Sequence, residues 1–208
     1  MPRLAREKKE AMEEITKDAI FQAAYEILME GSWHDLTMER LAKRTGIAKG
    51  TVYNYFRNKS DVIGFIVLKT SASMRNEILN LDCEKGDPRE LLAAVLDILM
   101  KDLFSNRLGV SAVGKALEEG GRPFPAEDDP FREIRGRMLF VLERGIEEGV
   151  FKKCDPVVAE EGIQSLIRGM AHRIGNGELV GMDESLPIFL NETILAGLAP
   201  ARKEECSE

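Results

Sequence analysis

Residues Leu36–Ser60, LTMERLAKRTGIAKGTVYNYFRNKS, read as two short helices joined by a tight turn. The hydroxyl of Thr37 can cap the backbone N–H groups of the next turn, so the first helix starts there and runs through Leu41, Ala42 and Arg44. Gly46 ends it, because a helix stop uses a positive φ that glycine adopts without a Cβ clash. The second helix runs from about Lys49 to Phe56 and carries Lys49, Thr51, Tyr53, Asn54 and Tyr55 on a rod with few carboxylates near it. A rod of that size fits the major groove of DNA.

Two helices this short need apolar support. Upstream, Ile15, Ala19, Ala23 and Ile27 recur at helical spacing, with Ile20, Ala24 and Leu28 beside them, which predicts a helix over Ile15–Met29 that Gly31 stops. Trp33 and Leu36 then cover the turn. Residues 1–14 mix basic and acidic side chains and read as a frayed polar arm, which either reaches a minor groove or contacts nothing. Downstream, Ser60 is a good N-cap for a helix from Asp61 to about Leu81, with Val62, Ile63, Ile66, Val67, Met74, Ile78 and Leu79 as its apolar stripe. Such a rod spans roughly 30 Å and can couple two bodies mechanically.

The charge is unevenly divided. The chain carries -7 overall, yet residues 36–60 set Arg40, Lys43, Arg44, Lys49, Arg57 and Lys59 against Glu39 alone, a net +5 that leaves -12 elsewhere. An acidic body with one basic end is oriented by the field of DNA.

Three Asp-Pro pairs punctuate the remainder: Asp87-Pro88, Asp129-Pro130 and Asp155-Pro156. In each, Asp can cap while Pro takes the first helical position. They predict helices over 88–104, 130–148 and 156–175, with further helices over 107–119 and over 186–199 behind a Ser185 cap. Nothing alternates with period two for long enough to be a strand, so the fold class is all-α, with roughly nine helices. The chain then divides into a helix-turn-helix domain over 1–60 and a second helical domain over 61–208. Val158, Ile163, Leu166, Met170 and Ile174, then Leu186, Phe189, Leu190, Ile194 and Leu198, give the last two helices more apolar surface than one core contact consumes, and Gly162 and Gly169 permit close helix approach, as in a dimer interface. Burial of both faces inside the monomer is the alternative.

Cys83, Cys154 and Cys206 include no C-x-x-C pair, so the sequence predicts no metal site, no disulfide framework and no cofactor. His34 and His172 sit in no nucleophile, metal or phosphate-loop motif, which argues against an enzyme. The charged first residues and the charged interruption of the most apolar run, Leu91–Met100, predict neither a secretory signal nor a membrane span, and place the protein in the cytoplasm.

Ile20, Ala23, Ala24 and Gly31, then Thr37, Leu41, Ala42, Gly46, Ile47, Gly50-Thr51, Tyr53, Tyr55-Phe56 and Lys59, resemble in order and spacing the N-terminal domain of the TetR family of bacterial transcriptional regulators. The resemblance covers about residues 15–65. Beyond it, the chain is similar only in helical layout and in the Glu147-Glu148-Gly149-Val150-Phe151 turn. It implies a homodimer that sets two helix-turn-helix heads on a palindromic DNA operator, and a C-terminal body that binds a small-molecule effector, most often a repressor released by its ligand. By position, Thr37, Tyr55 and Lys59 are expected at phosphates, and Lys49, Gly50, Thr51, Tyr53 and Asn54 on the part of the recognition helix that approaches DNA. Arg44, from the same basic patch, is taken with them, while Tyr53 either reaches DNA or packs on the first helix. Ala48 stands where the family commonly has a capping Ser, so the recognition helix is held less firmly, by about 1 kcal/mol. Candidate walls of an effector pocket are Leu99, Leu103, Val113, Met138, Leu142, Ile167 and Met170, each of which plain core would also explain. A DNA-binding architectural protein without an effector is the competing reading; a filled, pocketless C-terminal core would mark it.

Overall fold

The computed structural model describes residues 3–107, 109–111, 114 and 129–200. In chain order they form α1 (Arg3–Glu30), a 3-10 turn (Trp33–Asp35), α2 (Met38–Thr45), α3 (Lys49–Tyr55), α4 (Lys59–Thr70), α5 (Ala72–Leu79), α6 (Pro88–Ser105), α7 (Arg132–Glu147), α8 (Pro156–Gly175) and α9 (Ser185–Leu198). No strand occurs among the described residues, and the fold is all-α. The helix expected over 107–119 lies largely outside the described residues. Two compact units divide the chain, one of residues 1–70 with 108–129, the other of 71–107 with 130–208.

In the first unit, α1 buries Ile20, Ala23, Ala24, Ile27 and Leu28, and α2 and α4 pack on it. Ile15 is exposed, so the inner stripe begins later than the periodicity suggested. The expected frayed arm is helical from Arg3, with i,i+4 pairs Arg6–Glu10 (2.8 Å) and Lys9–Glu13 (3.7 Å) supporting it. α2 starts on Thr37, whose Oγ1 accepts the amide of Arg40, and ends at Gly46 with φ of 71°. α3 begins after Ala48 with no side-chain cap. At α4, Asn58 replaces Ser60 as the capping side chain: its Oδ1 accepts the amide of Asp61 at 2.9 Å, while Asp61 accepts the amide of Arg57 at 2.8 Å.

The single helix expected over 61–81 is two, α4 and α5, separated at Ser71. Thr70 returns its hydroxyl to the Ile66 carbonyl at 2.8 Å, a bond that competes with the helical ladder, and Ser71 takes φ of -91° and ψ of 1°. Because α4 buries Val62, Ile63, Ile66 and Val67 and packs on α1, the boundary expected at 60/61 falls after Thr70.

In the second unit, α6 packs on α7, α7 on α8 and α9 on α6. Asp87 and Asp155 each cap two amides ahead of a proline, as expected. Asp129-Pro130 does not open its helix. The Pro130 carbonyl accepts Arg75 Nε at 3.1 Å, and α7 starts at Arg132 behind Phe131, whose side chain offers no cap. Ser185 lies inside α9 instead of capping it, because the amide of Leu186 already bonds the Met182 carbonyl at 3.0 Å. Gly149, at φ of 74°, turns the chain after α7 so that Phe151 folds back, 2 % exposed, against Gly145. Glu160 is a buried carboxyl in this core, and its Oε1 has no hydrogen-bond partner.

A Cβ at Gly145 would stand 2.2 Å from the Phe151 ring, so Gly145→Ala is expected to destabilise the protein by about 1–3 kcal/mol in denaturant melts. Conversely, Ala48→Ser supplies the missing cap of α3 and is expected to add about 0.5–2 kcal/mol in the same measurement. Burial raises the pKa of Glu160 above its ordinary value, against a smaller opposing effect of its Gln164 hydrogen bond. The folded state therefore holds that proton longer than the unfolded chain, so Glu160 costs stability as pH rises from the ordinary glutamate range through the raised folded pKa. Relative to Glu160→Gln, the natural protein is expected to lose stability across that window, as pH-dependent melts of the two would record.

Candidate nucleic-acid interface

α3 is amphipathic on a scale of two turns. Val52 and the following Phe56 are buried, whereas Lys49, Gly50, Tyr53 and Asn54, one helical face by spacing, are exposed. At Gly50 an added Cβ would meet nothing within 4 Å, so the backbone of the first turn is open to a close-approaching surface. Thr37 is exposed at the start of α2, and Thr51, Tyr55 and Lys59 are half-buried. Tyr53 is 48 % exposed, which favours an outward role over packing on α1.

The cations differ in how firmly they are held. Lys49 Nζ lies 3.7 Å from Glu39 Oε2 between two well-exposed side chains, a pairing water and salt readily replace. Lys59 Nζ sits 4.1 Å from the centroid of the Trp33 ring and 3.5 Å from the Trp33 carbonyl, so the 3-10 turn serves as its platform. Composition alone gave no sign of that pairing between residues far apart in sequence. Arg40 pairs with Asp35 at 3.0 Å. The Asp35 carboxyl is held below its usual range chiefly by the Ser32 amide, then by the Ser32 hydroxyl. Lys43 and Arg57 are exposed and enlarge the cationic surface. Arg44 is the exception, its guanidinium engaged by Glu26 and Glu30 of α1.

Behind α3, Phe56 meets Phe65 at 5.4 Å between centroids, and Phe65 meets Phe21 edge-on at 6.3 Å. Lys69 lies over Phe21 and Phe65 and pairs with Asp18. This ladder ties the end of the recognition helix to α4 and α1.

In the second unit, Met138 and Leu142 are fully buried, Leu99, Ile167 and Met170 are buried and Leu103 is half-buried; Val113 lies outside the described residues. A cavity of about 660 Å³ there is lined instead by Leu79, Leu81, Cys83, Arg137 and Phe140 with Asp82, Glu84, Glu133 and Gly136. None of the candidate walls faces it, because those residues lie on the helix faces that pack together. Arg137 donates to the Leu81 carbonyl at 2.6 Å and closes the turn after α5. Of the candidate interface residues, Gly162 and Gly169 are exposed and open, Leu166 and Phe189 are 48 % and 62 % exposed, and Leu190 is half-buried. Ile194 is a correction: it shares the inner stripe of α9 with Asn191, Leu195 and Leu198. Val158 is exposed as well, and Val157 and Ile188 are exposed apolar residues not anticipated. No helix among the described residues is long and apolar enough to cross a membrane.

Residues 20–64 match the family model of bacterial regulatory proteins of the tetR family. The fatty acid metabolism regulator protein of Bacillus subtilis is 35 % identical over 78 residues, which are 37 % of this chain and 40 % of that protein. The chain thus spans less than half the length of that relative. The fatty acid degradation regulator FadR of Bacillus halodurans has the same fold, with a TM-score of 0.70 and 20 % identity over 88 % of this chain and 96 % of that one. So does FadR of Bacillus subtilis in complex with stearoyl-CoA, with a TM-score of 0.65 and 22 % identity over 86 % and 98 %. The exposed helix α3 and the three helices that support it thus lie in the part of the chain that matches the tetR-family model, and the chain as a whole shares the fold of these regulators.

Proposed function

We propose that the protein is a ligand-responsive regulator, a repressor that binds a palindromic operator as a homodimer and is released by a small molecule. The observation that carries the DNA-binding half is the outward face of α3: Lys49, Gly50, Tyr53 and Asn54 project from a helix whose other face is locked inside. Thr37, Tyr55 and Lys59 flank that face as phosphate contacts, and Lys49, Thr51 and Asn54 are the residues for base edges. Two such heads must stand roughly 34 Å apart to enter successive major grooves. The dimer reading is supported by Leu166 and Phe189, which are large and apolar yet exposed, and by the open glycines of α8.

A second reading, DNA binding without an effector, is favoured by the close burial of Met138 and Leu142 where a pocket was expected. Sequence similarity to the fatty acid regulator lies within 37 % of this chain and carries no ligand with it. A metabolite screen that includes stearoyl-CoA decides between the readings. An effector should raise the melting temperature, by about 2.7 kcal/mol of stability at a hundredfold excess over Kd, and release the duplex. No shift with any compound favours the second reading.

The variant Lys49→Gln with Asn54→Ala is expected to weaken binding to a duplex selected from a random library by about 1–3 kcal/mol per site, with an unchanged melt. Unaltered binding would remove α3 from the interface. Phe189→Glu is expected to shift sedimentation from dimer to monomer while leaving the helical circular dichroism intact; a monomeric natural protein would overturn the dimer.

A further inference from the structure

Arg44 stands in the last turn of α2, while Glu26 and Glu30 occupy the last two turns of α1. Arg44 Nε lies 3.0 Å from Glu26 Oε2, and Nη1 and Nη2 lie 2.6 and 2.5 Å from the two oxygens of Glu30. Gln22 Nε2 donates to the other oxygen of Glu26 at 3.2 Å and steadies that carboxylate. A guanidinium grips an oxyanion best with two parallel hydrogen bonds along one edge. Its terminal edge holds Glu30 and its Nε side holds Glu26, so neither edge is left to take a phosphate with both bonds. Two carboxylates against one guanidinium also leave the cluster net negative, which repels a DNA backbone.

The placement has a second physical consequence. Carboxylates at the end of α1 face the negative pole of its dipole, and no basic residue of α1 lies in that last turn. Arg44 offsets the mismatch and complements the end of its own helix, so one side chain joins two helix C-termini that would otherwise repel. Its hydrogen bonds hold the Glu30 carboxyl below its usual range and keep Arg44 itself more firmly protonated.

Resting on the DNA-binding role of this unit, we infer that Arg44 with Glu26 and Glu30 is a positioning clamp and not a phosphate contact. It fixes the end of α2 and, through the Gly46 turn, the start of α3. Because Ala48 offers no side-chain cap, α3 inherits its placement from that turn.

The test uses the full chain, a duplex selected by it from a randomised library and a random-sequence duplex, each titrated across salt concentrations. Arg44→Gln, and separately E26Q with E30Q, are expected to weaken the selected duplex about fivefold while the slope of log K against log salt stays unchanged. Binding to the random duplex should hardly move. Arg44→Lys keeps the charge and loses the fork, and is expected to behave like Arg44→Gln. The clamp is overturned if Arg44→Gln lowers the slope by about one per head and Arg44→Lys restores it. It is equally overturned if E26Q with E30Q binds as tightly as the natural protein or tighter. Should that double variant fail to fold, the comparison of Gln and Lys at position 44 decides alone. Failure of the unaltered protein to select any duplex would sink the DNA-binding reading instead. The clamp would then stand or fall on hydrogen exchange at Thr51–Tyr55, which Arg44→Gln is expected to accelerate; unchanged exchange overturns it.

Discussion

A helix of seven residues does not hold itself together in water, and α3 has seven. Its existence therefore depends on burying Val52 and the adjoining Phe56 in a core made by longer helices. That one requirement organises the first unit. It explains why α2 and α4 both pack on α1, and why Ile20, Ala24, Ile27, Leu28 and Leu41 have no exposed surface. It also explains why the polar residues of α3 crowd onto the single face left over. The face proposed to read DNA is the complement of the face that makes the helix stable.

The second unit solves a different problem, that of stopping and restarting long helices. Asp87 and Asp155 do so with a capped amide and a proline that needs no partner. After α7 the solution is steric: Gly149 turns left-handed, and Phe151 fills the space that the absent side chain of Gly145 leaves. Polar links add to these. Asn191 donates from α9 to Asp97 at 2.6 Å and to the Ala93 carbonyl at 3.2 Å, and the amide of Lys152 reaches the Leu198 carbonyl at 2.8 Å.

The legible part of the sequence was the part that local chemistry determines. Thr37, Gly46 and the two working Asp-Pro pairs act within a few residues of themselves, and their helices start or stop where expected. Asp129-Pro130 misled because a distant group, Arg75, takes the Pro130 carbonyl. Apolar periodicity named the right face of α4 but missed the break at Ser71, since Val67, Met74 and Ile78 keep helical spacing across it. In the site, exposure of Lys49, Tyr53 and Asn54 followed from the spacing of Val52 and Phe56. The fate of Arg44 did not, because a positive charge looks the same in a sequence whether carboxylates from another helix hold it or not. The candidate pocket walls were apolar residues on inward faces, and periodicity does not distinguish a lined cavity from a filled core.

The interruption at Ser71 also bears on how such a protein changes over generations. The helical run stops at the border between the units. Each half then drifts under its own constraints. Similarity to a relative can remain at 35 % over 78 residues while the greater part of the chain keeps little beyond its fold.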